Sequence, residues 1–234
     1  MEDDAWRVEV GRDEEQGDPL RAVDRRALAA VHGPKDGRWP RTDRRQARVS
    51  RVLSRRQPDL TVVLEDVHDP HNASAVLRAC DAVGVATVHL VYDREEPPAR
   101  AFARTTSASA AKWVETVTHP DIATCYGALR VAGFRIVATT LAPDSHDLYD
   151  LDLARPTALV LGNEHRGVSD AAAEAADDRA VIPMQGMVES LNISVAGAVA
   201  LFEAMRQRRA AGAYDAPRYD PVTLAALTED WLRR

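Results

Sequence analysis

Short apolar segments alternate with amphipathic segments along most of this chain, and this alternation is the feature that most restricts its fold. Segment 60–67, LTVVLEDV, is rich in β-branched residues and predicts a buried strand. The apolar residues that follow recur at the spacing of one helical face and stop at Gly84, which predicts a helix carrying Ala73, Val76, Leu77, Cys80 and Val83 inwards. Strands that alternate with helices favour a mostly parallel α/β sheet covered on both faces.

The alternation continues on both sides of this first unit. Further strands are predicted at 85–92, 134–141, 156–164 and 180–184. Further helices are predicted at 44–56, at 120–133, after Ser169, at 192–212 and from Asp220 onwards. Segment 93–111 is rich in Ser, Thr and Ala and shows no periodicity, so it is predicted to be irregular.

Charge is distributed unevenly along the chain. The net charge is −6, and residues 1–18 account for all of it, with eight acidic side chains against two arginines. Residues 41–56 carry seven arginines and one acidic residue. A basic segment beside an acidic tail indicates a polyanionic partner, although a solvated helix face in an arginine-rich chain explains the same charges. Residues 1–40, with clustered Pro, Gly and Asp, are expected to be a disordered extension.

Several functional classes find no support in the sequence. No stretch approaches the roughly 18 apolar residues of a membrane span, and the acidic N-terminus does not resemble a secretory signal, so a cytoplasmic protein is expected. Cys80 and Cys125 lie in helical patterns and are expected to be reduced core thiols. His68 and His71 have a metal-like spacing, but no further ligand lies near them in sequence, so no metal is expected. Glycine-rich phosphate loops and a nucleophile elbow are absent.

Three loops that follow predicted strands carry polar side chains where a turn alone would need none. They are EDVHDPHNASAVLR (65–78), LVLGNEHRGVS (159–169) and VIPMQGMVESLNISVAGAVALFEA (181–204). In parallel sheets, ligands bind where strands end and loops cross to helices. The three loops are therefore the candidate functional segments of the chain.

In order and spacing, these loops resemble the three motifs of the SpoU class of RNA 2′-O-ribose methyltransferases, in the SPOUT superfamily. Asn72 and Arg78 match N-x-x-x-x-x-R, and Gly162 and Glu164 match L-x-x-G-x-E-x-x-G-[IV]-S. The third loop matches I-P-M…S-L-N-[IV]-S-x-A. The flanking residues are most similar to the TrmH group, and the resemblance covers residues 44–234. Asn163 departs slightly, because alanine is frequent there in that group while other SpoU relatives have asparagine.

The resemblance implies an α/β fold with a C-terminal trefoil knot that holds the cofactor S-adenosylmethionine, and with flanking N- and C-terminal helices. Its motifs assign cofactor contacts to Thr139, Leu141, Gly162, Ile182, Met184 and Leu191, and catalytic positions to Asn72, Arg78, Glu164, Ser190 and Asn192. Taken singly, these catalytic positions also fit simpler roles: a helix cap for Asn72 or Asn192, a turn for Ser190 and a solvated acid for Glu164.

Two roles for Arg78 remain open at this point. It can accept the proton of the ribose 2′-hydroxyl, as the resemblance implies, or it can stabilise the forming alkoxide while solvent takes the proton. A guanidinium is a poor general base because its pKa exceeds about 12, which favours the second role.

The resemblance also implies a tRNA partner and a homodimer. The basic helix would contact tRNA phosphates through Arg44, Arg45, Arg48, Arg51, Arg55 and Arg56, and the C-terminal helix around Trp231 is expected to pack beside it. The run Val195–Phe202 is a candidate part of the dimer interface, or else intramolecular core. The expected organisation is an extension at 1–40, a basic helix at 41–58, a methyltransferase domain at 59–212 and a helical tail at 213–234.

The expected function is S-adenosylmethionine-dependent 2′-O-methylation of a tRNA ribose, at the D-loop guanosine of tRNA position 18. The alternatives are the same chemistry on 23S rRNA or on another tRNA nucleotide, and a catalytically silent RNA-binding homologue. A small-molecule-binding α/β protein is disfavoured by the arginine-rich helix.

Overall fold

The structure, a computed structural model, describes residues 43–93 and 112–234. The acidic extension at 1–40 and nearly all of the irregular segment 93–111 lie outside the described residues. The helices are α1 (Asp43–Leu53), α2 (Pro70–Val83), α3 (Ile122–Val131), α4 (Asp170–Ala175), α5 (Ile193–Ala210) and α6 (Pro221–Arg233). The strands are β1 (Leu60–Glu65), β2 (Thr87–Val91), β3 (Glu115–His119), β4 (Arg135–Thr139), β5 (His146–Asp147), β6 (Thr157–Leu161) and β7 (Asp178–Val181).

The strands form one parallel sheet in the order β3-β2-β1-β6-β4-β7-β5. β1 lies near the middle, where Val62 pairs with Val88 on one side and Leu159 on the other. All six residues of β1 are buried, which accounts for the run of apolar and β-branched residues from Leu60 to Leu64. Because the strands are parallel, their carboxyl ends share one edge of the sheet. The predicted α/β architecture is confirmed.

The two edge strands β3 and β5 were not predicted from the sequence. β3 leaves Glu115, Thr116 and Thr118 exposed, so it lacks the apolar run that marked the central strands. β5 has only two residues, His146 and Asp147. Neither strand carries enough buried apolar surface to produce a recognisable pattern.

Helices cover both faces of the sheet. On one face α2 and α5 pack together over Val62, Leu64 and Leu161. The approach is close, because a Cβ added at Gly197 of α5 would lie 2.8 Å from Cδ1 of Leu161. On the opposite face α3 and α4 bury Val63 and neighbouring strand residues. Cys80 and Cys125 are buried and unpaired, as predicted.

The first and last helices form a separate small cluster. Val49 and Leu53 of α1 pack against Trp231 of α6, and the Trp231 ring lies 4.7 Å from that of Trp113. The predicted packing of the C-terminal helix beside the basic helix is therefore confirmed. Among the described residues, no helix combines the length and the apolar character that crossing a membrane requires.

Candidate functional site

The loops that follow β1, β6 and β7 meet through three polar side chains. Asn72 Nδ2 donates a hydrogen bond to Glu164 Oε1 at 3.0 Å, and Asn192 Nδ2 donates to Asn72 Oδ1 at 3.1 Å. Asn192 Oδ1 in turn accepts from the backbone N–H and the hydroxyl of Ser194, at 2.8 and 2.6 Å. The structure thus joins one residue from each of the three motifs, and we call Asn72, Glu164 and Asn192 the amide–carboxylate network.

The chemistry of these groups fixes the orientation of both amides. An ionised carboxylate can only accept hydrogen bonds, so the NH2 of Asn72 must face Glu164. The oxygen of Asn72 then faces Asn192, which can donate to it only through its own NH2. The oxygen of Asn192 is left for the two donors of Ser194. Each side chain therefore holds the next in a single orientation, and each amide keeps a second N–H for a ligand.

Glu164 also binds the loop that follows β1 through its backbone. Oε2 accepts from the N–H of His68 at 3.2 Å, and Oε1 accepts from the N–H of Asp69 at 3.1 Å. Burial is the largest single influence on the pKa of Glu164 and raises it, but the hydrogen bonds from Asn72 and from backbone N–H groups together outweigh burial and lower this pKa overall. Glu164 is therefore ionised at neutral pH and is not a solvated loop acid.

Replacing Glu164 with Gln is expected to lower the free energy of unfolding by about 1 kcal/mol at neutral pH. The glutamine can still accept from Asn72, but its NH2 then faces a backbone N–H of the β1 loop. Because the pKa of Glu164 is lowered by folding, the wild-type advantage is present above the unfolded-state pKa and is lost as the folded carboxyl becomes protonated. Urea unfolding from neutral pH to about pH 3 should show the two proteins converging. A pH-independent difference would contradict this account of Glu164.

The helix starts explain how two of these residues are presented. α2 is capped by Asp69, whose carboxylate accepts from the N–H of His71, and Pro70 occupies its first turn. Asn72 is therefore not the cap of α2, and its amide is available to the network. Asn192, by contrast, does cap α5, because its Oδ1 accepts from the N–H of Ser194. Its Nδ2 belongs to the amide–carboxylate network.

Asn163 contributes to this site in a way that the sequence did not reveal. Its Nδ2 donates to the backbone oxygen of Asp66 at 2.8 Å, and its Oδ1 accepts from the N–H groups of His165 and Arg166. Its backbone N–H and C=O both pair with Gly167. Asn163 therefore closes the turn that carries Glu164 and fastens it to the end of β1. Its only signal in the sequence was its position next to Glu164.

The other two predicted catalytic residues lie outside the network. Arg78 is the ninth residue of α2 and lies about 9 Å along the helix from Asn72, in the second half of the helix. Its side chain is exposed, and within residues 43–93 and 112–234 it makes no hydrogen bond or ion pair. Ser190 is also exposed, two residues before the cap of α5.

The predicted cofactor residues follow three neighbouring strands at the carboxyl edge. Thr139 ends β4 and Leu141 follows it, Gly162 follows β6, and Ile182 and Met184 follow β7. The segment after β7 continues through Leu191, which is partly exposed. Gly162 allows a close turn, because a Cβ there would lie 2.0 Å from the carbonyl carbon of Gly167.

These loops fit a cofactor that combines an apolar ring face with polar groups. Leu141 and Val188 are each 60% exposed although they are apolar, so they can pack on an adenine. Thr139 uses its hydroxyl to donate to the backbone oxygen of Val160, which leaves its loop to bind a ligand through backbone groups. These loops therefore offer a ligand hydrogen bonds from backbone groups and packing against apolar side chains, rather than contacts with charged side chains.

The predicted RNA-binding arginines divide into three kinds. Arg44, Arg48, Arg51 and Arg55 are exposed and recur at the spacing of one helical face, and we call them the arginine stripe. Arg45 is partly buried and donates to the backbone oxygen of Trp231. The stripe is an accessible surface of positive charge on α1 and the turn after it.

The prediction that Arg56 contacts RNA is wrong in this structure. Its side chain is 1% exposed and donates to the backbone oxygens of Val85 and Trp113 and to the carboxylate of Asp81. Its guanidinium also lies 4.9 Å from the centre of the Trp231 ring. Arg56 joins the small helical cluster to the sheet domain, and its charge is neutralised internally.

Comparisons with known proteins extend the similarity beyond the three loops. The model of the SpoU rRNA Methylase family matches residues 59–202. A tRNA (guanosine(18)-2′-O)-methyltransferase of Thermus thermophilus is 49% identical over 194 residues, which cover 83% of this chain and 98% of that protein. The matched family region includes the first two loops, the third loop as far as Phe202, and the strands that carry them.

Two solved structures show the same architecture. The A. aeolicus TrmH/SpoU tRNA modifying enzyme aligns with a TM-score of 0.73 and 35% identity, over 81% of this chain and 95% of that one. The SpoU methyltransferase AviRb from Streptomyces viridochromogenes, solved in complex with the cofactor AdoMet, aligns with a TM-score of 0.59 and 28% identity, over 67% and 60% of the two chains.

Proposed function

Because this chain belongs to the SpoU methylase family, we propose that it transfers a methyl group from S-adenosylmethionine to the 2′-hydroxyl of the guanosine at position 18 in the D-loop of tRNA. The relative from Thermus thermophilus, named for that reaction, is 49% identical to this chain and is covered almost completely. The observation that carries the proposal is the amide–carboxylate network, which joins one residue from each of the three family motifs.

The cofactor is S-adenosylmethionine, which supplies an electrophilic methyl carbon when bound. The loops after β4, β6 and β7 are the proposed binding segment, through Thr139, Leu141, Gly162, Ile182, Met184 and Leu191. They follow neighbouring strands and offer backbone groups beside apolar side chains. The predicted trefoil knot in the C-terminal part of the 59–212 domain is part of this proposal.

The amide–carboxylate network is proposed to orient the ribose and its phosphate. Asn72 and Asn192 each retain one N–H that their partners do not use, and amide N–H groups bind phosphate and hydroxyl oxygens well. Glu164 does not touch the RNA in this proposal, but it holds Asn72 in the donating orientation. Positioning of this kind accounts for a large share of the rate in a displacement reaction.

Arg78 is proposed to act on the oxygen that attacks. When the O–H bond of the 2′-hydroxyl breaks, negative charge develops on the oxygen. The oxygen then bonds to the methyl carbon, and the departing sulfur keeps the electron pair of its own bond to that carbon. The exposed guanidinium can stabilise this charge while solvent takes the proton. The exposed Ser190, which precedes Asn192 by two residues, is proposed as a further polar contact to the RNA.

The arginine stripe is proposed to hold the body of the tRNA. Its four side chains are exposed on one side of α1 and of the turn after it, and they can contact phosphates without reading the nucleotide sequence. Arg45, which is partly buried, can contribute at the edge of the stripe. The proposed division of the sequence is an acidic extension at 1–40, a basic helix at 41–58, a methyltransferase domain at 59–212 and a helical tail at 213–234.

A second copy of this chain is proposed to cover α5. The run Val195–Phe202 has two sides: Gly197, Ala200 and Leu201 belong to the core, whereas Val195 and Phe202 are 48% and 47% exposed.

Phe202→Arg is expected to weaken this dimer by raising its dissociation constant at least about tenfold, because a charge would enter an apolar interface. Sedimentation equilibrium of both proteins measures the effect, with Val131→Arg, on the 91%-exposed side chain of α3, as control. A monomeric wild-type protein would contradict the proposal.

The test of the proposed function is methyl transfer to unmodified tRNA transcripts, with the modified nucleoside and its position identified by mass spectrometry. The expected product is 2′-O-methylguanosine at position 18, and a transcript with adenosine there should accept no methyl group. Methylation of another tRNA nucleotide, or of 23S rRNA fragments alone, would contradict the proposed substrate but support the proposed methyl transfer. No transfer to any RNA would instead indicate a silent RNA-binding homologue.

A further inference from the structure

Three side chains with metal-binding atoms converge on the face of the sheet that α3 covers. His89 lies on β2, His119 is the last residue of β3, and Cys125 lies on α3. Val91 pairs with His119 across the two strands, so His89, two residues earlier on β2, projects to the same face as His119. Asn72 and Asn192 of the amide–carboxylate network, by contrast, lie at the starts of α2 and α5, which cover the opposite face.

The ligand atoms are close enough to share one ion. Nδ1 of His89 lies 2.9 Å from Nε2 of His119, and these nitrogens and the Cys125 sulfur all lie within 4.8 Å of one another. Ligand atoms around a tetrahedral zinc are about 3.3 to 3.6 Å apart, given bonds of about 2.0 Å to nitrogen and 2.3 Å to sulfur. Small side-chain rotations would therefore bring the cluster to zinc geometry.

The surroundings also suit a cation that prefers nitrogen and sulfur. Cys125 is fully buried and His119 is 8% exposed, whereas His89 is only partly buried and gives access from solvent. Two imidazoles and a thiolate are a borderline-soft set that favours Zn²⁺ over Mg²⁺ or Ca²⁺. We propose that His89, His119 and Cys125 bind one Zn²⁺ ion, with water at the fourth position, and that the ion ties the edge strand β3 to β2 and α3.

Binding of the zinc ion requires the three ligands to lose one proton in total. Burial, and then the nearby charge of His119, lowers the pKa of His89 to about 4, so its ring is neutral at physiological pH. In the metal-free protein one ring N–H is shared between His89 and His119, and that proton moves to the other nitrogen of its own ring when the ion binds. Burial raises the pKa of Cys125 to about 12, so coordination releases one proton, from its thiol.

Cobalt titration of the chelator-treated full chain tests the proposal, because Co²⁺ reports both sulfur ligation and tetrahedral geometry by absorption. The wild-type protein is expected to bind one equivalent, with a thiolate-to-cobalt charge-transfer band that Zn²⁺ removes. Cys125→Ser should abolish that band while Cys80 is still present. His89→Gln removes a direct ligand of the metal. It should therefore weaken cobalt binding by more than the roughly 10- to 100-fold expected when a residue that only hydrogen-bonds to a ligand is removed. Isothermal titration in buffers of different ionisation enthalpy should give one proton released per Zn²⁺.

A matched control and a second readout keep the result interpretable. His146→Gln removes an exposed histidine on β5 and should bind cobalt as the wild type does. Added Zn²⁺ should raise the unfolding temperature of the wild type and of His146→Gln, but not that of His89→Gln, whose side chain is partly exposed and whose loss should leave the fold intact. Absence of the charge-transfer band in the wild type, or its persistence in Cys125→Ser, would overturn the proposal.

Discussion

Arg78→Ala is expected to lower the rate of methyl transfer by about 10²- to 10³-fold and to leave the binding of S-adenosylmethionine unchanged. The physical reason is that the variant removes the one charge proposed to face the attacking 2′-oxygen. Arg78 is suited to that role by its surroundings, since it is exposed and makes no hydrogen bond or ion pair within the described parts of the chain. Arg56 and Arg208, in contrast, are buried, and each donates to backbone oxygens and to a carboxylate.

Single-turnover methyl transfer and calorimetric titration of the cofactor measure the two quantities separately. Arg155→Ala is the matched control, because the Arg155 side chain is exposed and, among the residues that the structure describes, pairs only with Asp152 three residues away. Guanidinium ions in solution should restore part of the rate of Arg78→Ala but have no effect on the control. A rate within about threefold of the wild type would remove Arg78 from the reaction, since loss of such a group costs far more.

The pH dependence of the methyl-transfer rate distinguishes the two roles left open for Arg78. If the side chain acted as a general base, the rate should keep rising with pH, because a guanidinium ion must lose a proton before it can accept one. If it stabilises the alkoxide, the rate of the wild type should follow the ionisation of the attacking oxygen and the variant should keep the same pH profile at a lower level. The shape of the two profiles therefore distinguishes proton transfer from charge stabilisation.

The central sheet could be predicted from the sequence because burial on both faces leaves an unambiguous pattern. Residues 60–64 and Thr157–Leu161 are continuous apolar or β-branched runs, and both were predicted as parts of strands. The edge strand Glu115–His119 leaves most of its side chains exposed, so its sequence does not differ from that of a loop. Helix ends were predicted best where a glycine takes a positive φ, as at Gly84 after α2.

The candidate site was predicted as a set of residues but not as a geometry. Motif spacing indicated Asn72, Glu164 and Asn192, yet nothing in one sequence says that the three amide and carboxylate groups bond to each other. Asn163 was missed for the same reason, since its partner is the backbone of Asp66, 97 residues away. Long-range hydrogen bonds to backbone atoms leave no residue-type signal at the partner position.

Arg56 shows the same limit for charge patterns. An arginine near the end of a basic helix has the composition of a phosphate ligand, and only the fold shows that it is turned inwards onto Trp231 and Asp81. Helical spacing separates the arginine stripe from Arg56, because Arg56 follows the buried Val49 and Leu53 at intervals of seven and three residues. Arg44, Arg48 and Arg51 lie on one side of α1, and Val49 and Leu53 lie on the side that packs against α6.

Replacing all four residues of the arginine stripe with Ala is expected to weaken tRNA binding at low salt by at least about 100-fold. Each phosphate contact that is lost should also make the plot of log affinity against log salt concentration shallower by about one unit. Alanine keeps the helix, and the apolar contacts of Val49 and Leu53 with Trp231 are not altered, so the fold should persist. Filter binding of unmodified tRNA across a salt series measures both quantities.

A charge-matched pair of variants separates this contact from a general effect of net charge. Arg48→Ala/Arg51→Ala removes two charges from the stripe, and Arg155→Ala/Arg209→Ala removes two exposed charges elsewhere. If the stripe holds phosphates, only the first double variant should lose affinity strongly and show the shallower salt dependence. Equal losses in the two double variants would mean that α1 contributes only to the overall field of the protein, because a long-range field does not depend on which helix carries the charge.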